Sequence, residues 1–228
     1  MSFCCFLYME GNIMIQADGL ILAGGKSSRM GGHHKGSLTY KDETFTKILV
    51  RELKKEVQTV WLSYGREIKE YMNGCRIVRD IYNNSGPIGG IHAGLKVCGS
   101  DILLVAACDM PFLKIDLYYY LYEALSREEM GDCFIALAAR YDGCVPVIDD
   151  RVHPLAAIYR KSAVKVLEEQ IRDKNYCLRD ALRKLDILYL DVTGESRFIR
   201  MLQNINTVQE YNAIEGERCM ERITGYDG

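Results

Sequence analysis

The sequence predicts an α/β fold: a three-layer, Rossmann-like domain with a mainly parallel central sheet. Short stretches that are apolar at nearly every position, such as residues 19–23 and 101–107, indicate strands covered on both faces. Longer segments with helical spacing, such as residues 46–57 and 114–125, alternate with these stretches. Because strands that alternate with helices usually pair in parallel, the pattern favours a parallel sheet between two helical layers.

The remaining elements continue the alternation. Strands are predicted at residues 59–63, 76–78, 133–139, 155–159 and 187–190. Helices are predicted at residues 67–72, 88–97, 163–171 and 208–213. No linker, repeat or break in composition divides the chain, so we expect one domain over residues 17–228. Residues 1–16 form an N-terminal extension that is a candidate for disorder.

Composition excludes several functional classes. The net charge of -2 argues against a protein that binds nucleic acid through a broad basic surface. The apolar runs are far shorter than the roughly 20 residues that span a bilayer, and residues 1–16 lack the basic residues that begin a signal peptide. The nine cysteines are scattered without a C-x-x-C pair, which favours free thiols in a reducing compartment. We therefore expect a cytoplasmic protein.

A glycine-rich loop follows the first predicted strand, over residues 22–36. Its paired glycines allow close approach of the backbone to a ligand, while Arg29 and Lys35 supply two cations. The alternative is a glycine-rich turn with solvated charges, and the combination of glycine pairs, Arg and Lys favours phosphate binding. A Walker A loop is excluded, because Leu20 stands where that motif requires its leading glycine.

A single carboxylate, Asp109, ends the apolar stretch at residues 101–107, and Pro111 makes the chain turn soon afterwards. Carboxylate oxygen is a hard ligand that suits Mg²⁺, which proteins usually hold with one or two carboxylates and substrate phosphates. The alternative is an Asp that caps the next helix. The nearby phosphate loop favours the metal ligand.

A second glycine-rich segment contains Asp80, Pro87, Gly89 and Gly90. Pro87 suits the start of a helix, and the two glycines permit close contact with a flat ligand. Asp80 could accept hydrogen bonds from a base or a ribose. The alternative is a connection that packs on the sheet. His153 precedes a predicted strand and could face an acceptor, although a single His is more often structural.

Taken in order, these segments resemble the molybdenum cofactor guanylyltransferases, a family of the nucleotidyltransferase superfamily. The family's glycine-rich loop, its G-P-[LI]-x-G segment and its C-D-x-P segment stand at residues 22–36, 86–90 and 108–111. Its H-P-x-x-A-L segment is looser at residues 153–158, and its N-x-N-T-P-E-E-L ending resembles residues 204–211. Two positions depart from the family: His34 replaces an Asp, and Val208 replaces a Pro that would favour a helix start.

The resemblance implies a nucleotidyltransferase fold and transfer of GMP from GTP to the phosphate of molybdenum-bound molybdopterin, with Mg²⁺ as cofactor and release of pyrophosphate. It implies catalytic roles for Arg29, Lys35 and Asp109, with Asp109 as the Mg²⁺ ligand. The implied GTP contacts are Leu22, Ala23, Gly24, Gly25, Lys35, Asp80 and Asp109. The candidate acceptor contacts are Gly89, Gly90, His153, Asn204 and Asn206.

Alternatives remain open at this stage. A transferase of the same fold could use CTP with molybdopterin, or a sugar phosphate as acceptor. A non-catalytic nucleotide-binding module is disfavoured, because binding alone would not need Arg29, Lys35 and Asp109 together. The expected partners are GTP and a molybdopterin-type acceptor, with transient docking to molybdoenzymes or their chaperones. We expect no nucleic acid or membrane partner, and a monomer or weak oligomer.

Overall fold

The structure, a computed structural model, describes residues 15–24, 35–57, 59–65, 72–129 and 141–224. Its strands are β1 (Ala17–Leu22), β2 (Thr39–Tyr40), β3 (Glu43–Thr44), β4 (Val60–Ser63), β5 (Arg76–Val78), β6 (Ile102–Ala107), β7 (Gly143–Ile148), β8 (Arg151–Val152), β9 (Ala156–Arg160) and β10 (Ile187–Asp191). Its α-helices are α1 (Phe45–Leu53), α2 (Pro87–Val97), α3 (Ile115–Glu129), α4 (Val164–Arg172), α5 (Leu178–Leu182), α6 (Ser196–Met201) and α7 (Val208–Thr224).

One sheet orders the strands β10-β7-β9-β6-β1-β4-β5, with β8 paired to β7, while β2 and β3 form a separate hairpin. Strand β1 lies parallel to β4 and β6, β4 lies parallel to β5, and β10 lies parallel to β7. Strand β9 runs antiparallel to both of its neighbours, β6 and β7. The prediction of a mainly parallel sheet is confirmed, and the antiparallel β9 is a feature that the apolar pattern did not reveal.

The two faces of the sheet bury different residues because successive side chains of a strand point to opposite faces. Along β1, Leu20 and Leu22 pack in one apolar cluster with α2, α4 and α5, while Ile21 packs in another with α1, α3 and α6. Both faces are therefore covered by helices, which confirms the three-layer prediction and explains why β1 is apolar from Gly19 to Leu22.

A third, smaller apolar cluster joins distant parts of the chain. It consists of Phe45 at the start of α1, Ile205 before α7 and Ile214 within α7, all buried. Tyr211 packs against this cluster, and its hydroxyl donates a hydrogen bond of 3.0 Å to the backbone oxygen of Thr39 in the β2–β3 hairpin. The cluster thus fixes α7 against the hairpin and α1.

The predicted elements that fall in the described ranges are confirmed, with shifts of a few residues at their ends. Strand β7 was not predicted, because Gly143 and Pro146 are residues that strand interiors usually lack. The final helix extends to Thr224, well beyond its predicted end at residue 213. The strand predicted at residues 133–139 and nearly all of the helix predicted at residues 67–72 lie outside the described residues.

The division into an N-terminal extension and one domain stays a prediction, because residues 1–14 also lie outside the described ranges. Among the helices that the structure describes, none has the length and apolar character needed to cross a bilayer.

Candidate functional site

Three parallel strands end side by side at one edge of the sheet. After β1, the backbone N–H of Ala23 donates to Ser63 O, the last residue of β4, at 2.8 Å. The N–H of Cys108, directly after β6, donates to Leu22 O at 3.1 Å. The residues that follow β1, β4 and β6 therefore meet at the carboxyl edge, where ligands of open α/β sheets bind.

Gly24 begins the glycine-rich loop and lies against the backbone that follows β4. A Cβ atom added at Gly24 would come within 2.9 Å of the carbonyl carbon of Tyr64. Because that neighbour is backbone, a side chain at residue 24 would displace the segment. The close approach gives Gly24 a structural reason in addition to the predicted nucleotide contact. Gly25 and Arg29 lie outside the described residues.

The other end of the glycine-rich loop lies beside β6. Residues Lys35–Ser37 form a 3₁₀ turn, and Thr46 of α1 donates a hydrogen bond of 3.0 Å to Gly36 O. A Cβ at Gly36 would lie 3.6 Å from Cys108 Cβ. The backbone of Lys35 is therefore held next to the segment that contains Asp109, which is the juxtaposition the two motifs predict.

Asp80 follows β5 and is fixed by two contacts, one with the last residue of β4 and one with the segment that follows it. Its N–H donates to Gly65 O at 3.1 Å, and its Oδ1 accepts a hydrogen bond from Ser63 Oγ at 3.1 Å. Asp80 therefore lies at the same edge as Gly24. Sequence analysis missed Ser63. A hydroxyl at the end of an otherwise apolar strand was the available signal.

Gly89 and Gly90 lie in the first turn of α2, where both are buried. A Cβ at Gly90 would come within 2.5 Å of Leu22 Cδ2, and a Cβ at Gly89 would lie 3.2 Å from Asp80 Oδ2. The structure thus gives the pair a packing role next to the predicted nucleotide contacts. Their predicted contact with the acceptor stays a prediction.

Asp109 follows β6, and its carboxylate oxygen Oδ1 is buried. Its carbonyl oxygen accepts a hydrogen bond of 2.7 Å from the N–H of Ile205. This bond brings Asn204 and Asn206, the two neighbours of Ile205, to the segment that holds Asp109. The predicted metal ligand and two of the predicted acceptor contacts therefore belong to one part of the molecule.

The residues of this edge fit a magnesium ion of the kind that the sequence predicts. Within the described residues, no group of three or more His, Cys, Asp or Glu side chains could hold a metal by itself. Mg²⁺ needs no such group, because it retains waters and takes oxygens from substrate phosphates beside one or two carboxylates. Asp109 next to the end of a phosphate loop matches that requirement.

Helix α7 begins with a capping box although the family's Pro is absent. Thr207 Oγ1 accepts from Glu210 N at 3.2 Å, while Glu210 Oε2 accepts from Thr207 N at 2.9 Å and from Asn206 N at 2.6 Å. These bonds satisfy backbone donors at the helix start. The substitution by Val208 therefore leaves the helix start intact and Asn206 anchored.

His153 precedes β9, whose residue Ala156 pairs with Ala106 near the carboxyl end of β6. The N–H of His153 donates to Pro146 O at 3.0 Å. The pKa of His153 is lowered, mainly by burial and also by the positive charge of Arg151. At neutral pH its imidazole is therefore uncharged and can exchange hydrogen bonds, but it adds no positive charge for an anionic acceptor.

Two relatives named as probable molybdenum cofactor guanylyltransferases align with most of this chain. A probable molybdenum cofactor guanylyltransferase of Clostridium perfringens is 32% identical over 204 residues, which cover 87% of this chain and 96% of that protein. Another, of Pelotomaculum thermopropionicum, is 36% identical over 161 residues, covering 70% of this chain and 71% of that protein.

Two solved structures share the fold. The molybdopterin-guanine dinucleotide biosynthesis protein A of Archaeoglobus fulgidus superposes with a TM-score of 0.71 at 24% identity, covering 90% of this chain and 99% of that one. The 2-C-methyl-D-erythritol 4-phosphate cytidylyltransferase of Thermus thermophilus has a TM-score of 0.59 at 13% identity, covering 87% and 97%. Because the model of the MobA-like NTP transferase domain matches residues 19–188, most of the sheet and its carboxyl edge, the chain belongs to that family.

Proposed function

We propose that this chain transfers GMP from GTP to the terminal phosphate of a molybdopterin-type acceptor, with release of pyrophosphate. The observation that supports it is the meeting of three predicted parts at one sheet edge: the end of the phosphate loop at Gly36, the carboxylate Asp109 and the carboxylate Asp80. Relatives that are named as probable molybdenum cofactor guanylyltransferases align with this chain over most of its length.

GTP would lie across the ends of β1, β4 and β5. Its guanosine part would meet Leu22, Ala23 and Gly24 together with Asp80, and its triphosphate would follow the loop toward Lys35. Arg29 and Lys35 would offset negative charge on the transferring and leaving phosphates. The acceptor phosphate would then attack the α-phosphorus in line with the leaving pyrophosphate, so that positioning and charge neutralisation supply the catalysis.

Asp109 is the residue that would hold Mg²⁺. When bound, the ion would neutralise charge on the phosphate oxygens and orient them. The acceptor would approach from the side of Asn204 and Asn206, because Ile205 between them donates its N–H to Asp109 O. His153 would offer a neutral hydrogen-bonding group on that side.

The base preference rests on the sequence Leu22-Ala23-Gly24-Gly25, which in the resembled family accompanies guanine. Gly24 is exposed just after β1, and we propose that its backbone N–H and C=O groups pair with the edge of the base. Adenine carries a hydrogen-bond donor where guanine carries an acceptor, and the reverse, along the edge that such groups would contact. In a site built for guanine, adenine would therefore leave buried groups unpaired, and each unpaired group costs about 1–3 kcal/mol. We therefore propose GTP over ATP. CTP with the same acceptor is the second candidate, since a cytidylyltransferase shares this fold.

We also propose that the reaction takes place in the cytoplasm, because the nine cysteines of the sequence are scattered without a C-x-x-C pair, as is typical of proteins in a reducing compartment. We further propose that the protein docks transiently with the molybdoenzyme, or the chaperone, that receives the product.

Pyrophosphate release with GTP, Mg²⁺ and the molybdopterin acceptor tests the proposal. We expect release only when all three are present, and a loss of about tenfold or more in kcat/KM for Lys35→Ala, as expected for a contact between a cation and a phosphate. Lys26→Ala is the matched control in the same loop and should change kcat/KM less. Absence of release with any NTP would contradict the proposal, and a stronger effect of Lys26→Ala would relocate the phosphates.

A further inference from the structure

The segment that contains Asp80 is an irregular connection between β5 and α2. Asn84 and Gly86 have positive φ angles of 52° and 64°, and Ile81 is 51% exposed. Ser85 of this segment is buried, and Tyr82 packs against the apolar cluster that contains α2, α4 and α5. Polar contacts with other elements add to this packing.

Tyr82 provides such a contact with a helix that lies far away in the sequence. Its hydroxyl donates a hydrogen bond of 2.9 Å to Glu168 Oε1, in the middle of α4. Arg172 of the same helix donates to the Tyr82 hydroxyl at 3.3 Å and to Glu168 Oε1 at 2.7 Å. The Asp80 segment is thus connected to α4 through a three-residue network, Tyr82–Glu168–Arg172.

Glu168 also contacts the helix that follows the Asp80 segment. Lys96 Nζ of α2 lies 3.3 Å from Glu168 Oε2, so each carboxylate oxygen has a cationic or hydroxyl neighbour. The side chain of Glu168 is only 21% exposed. These hydrogen bonds from Tyr82 and Lys96 lower the pKa of Glu168, so the carboxylate stays ionised at neutral pH.

The ring of Tyr82 is held as well as its hydroxyl. It packs on His92 of α2, with ring centroids 5.6 Å apart. His92 is fully buried, and burial lowers its pKa, so its imidazole is neutral and packs as part of the core. Since Tyr82 stands two residues after Asp80, both ends of its side chain restrict the backbone that presents the Asp80 carboxylate.

We propose that Glu168, acting through Tyr82, is a positioning residue for Asp80 and thereby sets the affinity for the nucleotide. The inference rests on the proposed function, in which Asp80 contacts the guanosine part of GTP. A segment that is already fixed loses less conformational freedom when the ligand binds, and this difference appears as affinity. Glu168 and Arg172 lie outside the motifs of the nucleotide site, and Tyr82 lies within the Asp80 segment but is not one of its predicted ligand contacts.

Titration of GTP into purified protein, together with steady-state kinetics, tests the inference. Tyr82→Phe removes only the hydroxyl, and we expect the Kd and KM for GTP to rise about three- to tenfold, the usual range for one hydrogen bond, while kcat changes less than twofold. Glu168→Ala should raise them at least as much. The double variant should be no worse than Glu168→Ala alone, because both changes remove the same interaction.

Two comparisons separate positioning from general destabilisation. Tyr189→Phe alters an exposed ring on β10, and Asp101→Asn alters an exposed carboxylate that pairs with Arg160. Both variants should leave the Kd for GTP unchanged. Glu168→Ala should lose its effect on GTP affinity in an Asp80→Asn background but keep it in a Lys35→Ala background.

Wild-type affinity in Tyr82→Phe and Glu168→Ala would overturn the inference and leave the proposed function standing. An undiminished effect of Glu168→Ala in the Asp80→Asn background would overturn it as well, since Glu168 would then act elsewhere. Failure of the wild-type protein to bind GTP at all would overturn the proposed function and this inference with it.

Discussion

The two sides of the candidate site are built in different ways. The proposed nucleotide side consists of strand ends and short connections that contact each other directly: Gly24 lies against the backbone of Tyr64, and Ser63 donates a hydrogen bond to Asp80. The proposed acceptor side is assembled from distant segments, because the N–H of Ile205 donates to Asp109 O and Phe45 packs with Ile205. Fixed backbone defines one side, and tertiary packing defines the other.

This difference has a consequence for mutation. On the proposed nucleotide side, a Cβ added at Gly24 would come within 2.9 Å of backbone, so a small steric change at that residue should act strongly and locally. On the acceptor side, positions depend on the start of α7 and on one apolar cluster, so changes there should act through the helix and affect acceptor and nucleotide unequally.

The largest effect is expected at Asp109, where the two sides meet. Asp109→Asn should lower kcat for pyrophosphate release by about 10³-fold, because several kcal/mol of charge stabilisation are lost with the metal ligand. The Kd for GTP should change far less. Asp101→Asn is the matched control at the opposite end of β6, where an exposed carboxylate pairs with the mostly buried Arg160, and it should leave kcat near the wild-type value. If Asp109→Asn released pyrophosphate near the wild-type rate, Asp109 would not be the metal ligand.

A smaller effect is expected from Gly24→Ala, which tests the close packing of the nucleotide side. The added Cβ would come within 2.9 Å of backbone at Tyr64, and relief of such a clash costs about 1–3 kcal/mol. If the loop moves to relieve it, the Kd for GTP rises roughly 10- to 100-fold. Gly99→Ala, whose Cβ would meet nothing within 4 Å, should leave the Kd unchanged. Equal GTP affinity in both variants would show that Gly24 tolerates a side chain.

On the acceptor side, Glu210→Ala should act selectively. It removes the acceptor for the N–H groups of Asn206 and Thr207, a loss of about 0.5–2 kcal/mol in helix capping. We expect KM for the acceptor to rise about three- to tenfold while KM for GTP changes less than twofold. Glu169→Ala, an exposed Glu on α4, is the control. A rise in KM for GTP alone would place Asn206 on the nucleotide side.

The smallest effect is expected from a substitution in α7 that leaves the contacts of the helix unchanged. Gly216 is exposed within the helix, and a Cβ there would meet nothing within 4 Å. Gly216→Ala should therefore stabilise the protein by about 0.5–1 kcal/mol in urea unfolding, and both KM values should stay the same. Destabilisation would mean that residue 216 packs against a part of the chain outside the described ranges.

The strand ends on the proposed nucleotide side could be predicted because the glycine-rich loop, Asp80 and Asp109 each follow a predicted strand, and the ends of parallel strands share one edge. The contacts of these residues with GTP stay predictions. Ser63 was not predicted, because a single Ser at the end of an apolar strand is only a weak signal for a binding site. The antiparallel direction of β9 could not be predicted either, since the apolar pattern of a buried strand is the same whichever way the strand runs.

The acceptor side and the Tyr82–Glu168–Arg172 network could not be derived from local pattern. The contact between Tyr82 and Glu168 joins residues 86 positions apart, and the bond from Ile205 to Asp109 likewise joins distant segments. Only the family's ending suggested Asn204 and Asn206. The capping box of Thr207 and Glu210 could be predicted from the T-x-x-E pattern. It compensates for the missing Pro at the first position of α7.

The most direct test of the central claim is the identity of the nucleotide that is transferred. Wild-type protein is incubated with Mg²⁺, the molybdopterin acceptor and equimolar GTP, CTP and ATP, and the products are separated and identified by mass. The account predicts the guanine dinucleotide in large excess, with one pyrophosphate released for each product molecule, and none with Asp109→Asn. A cytosine dinucleotide as the main product, or no dinucleotide at all, would contradict it.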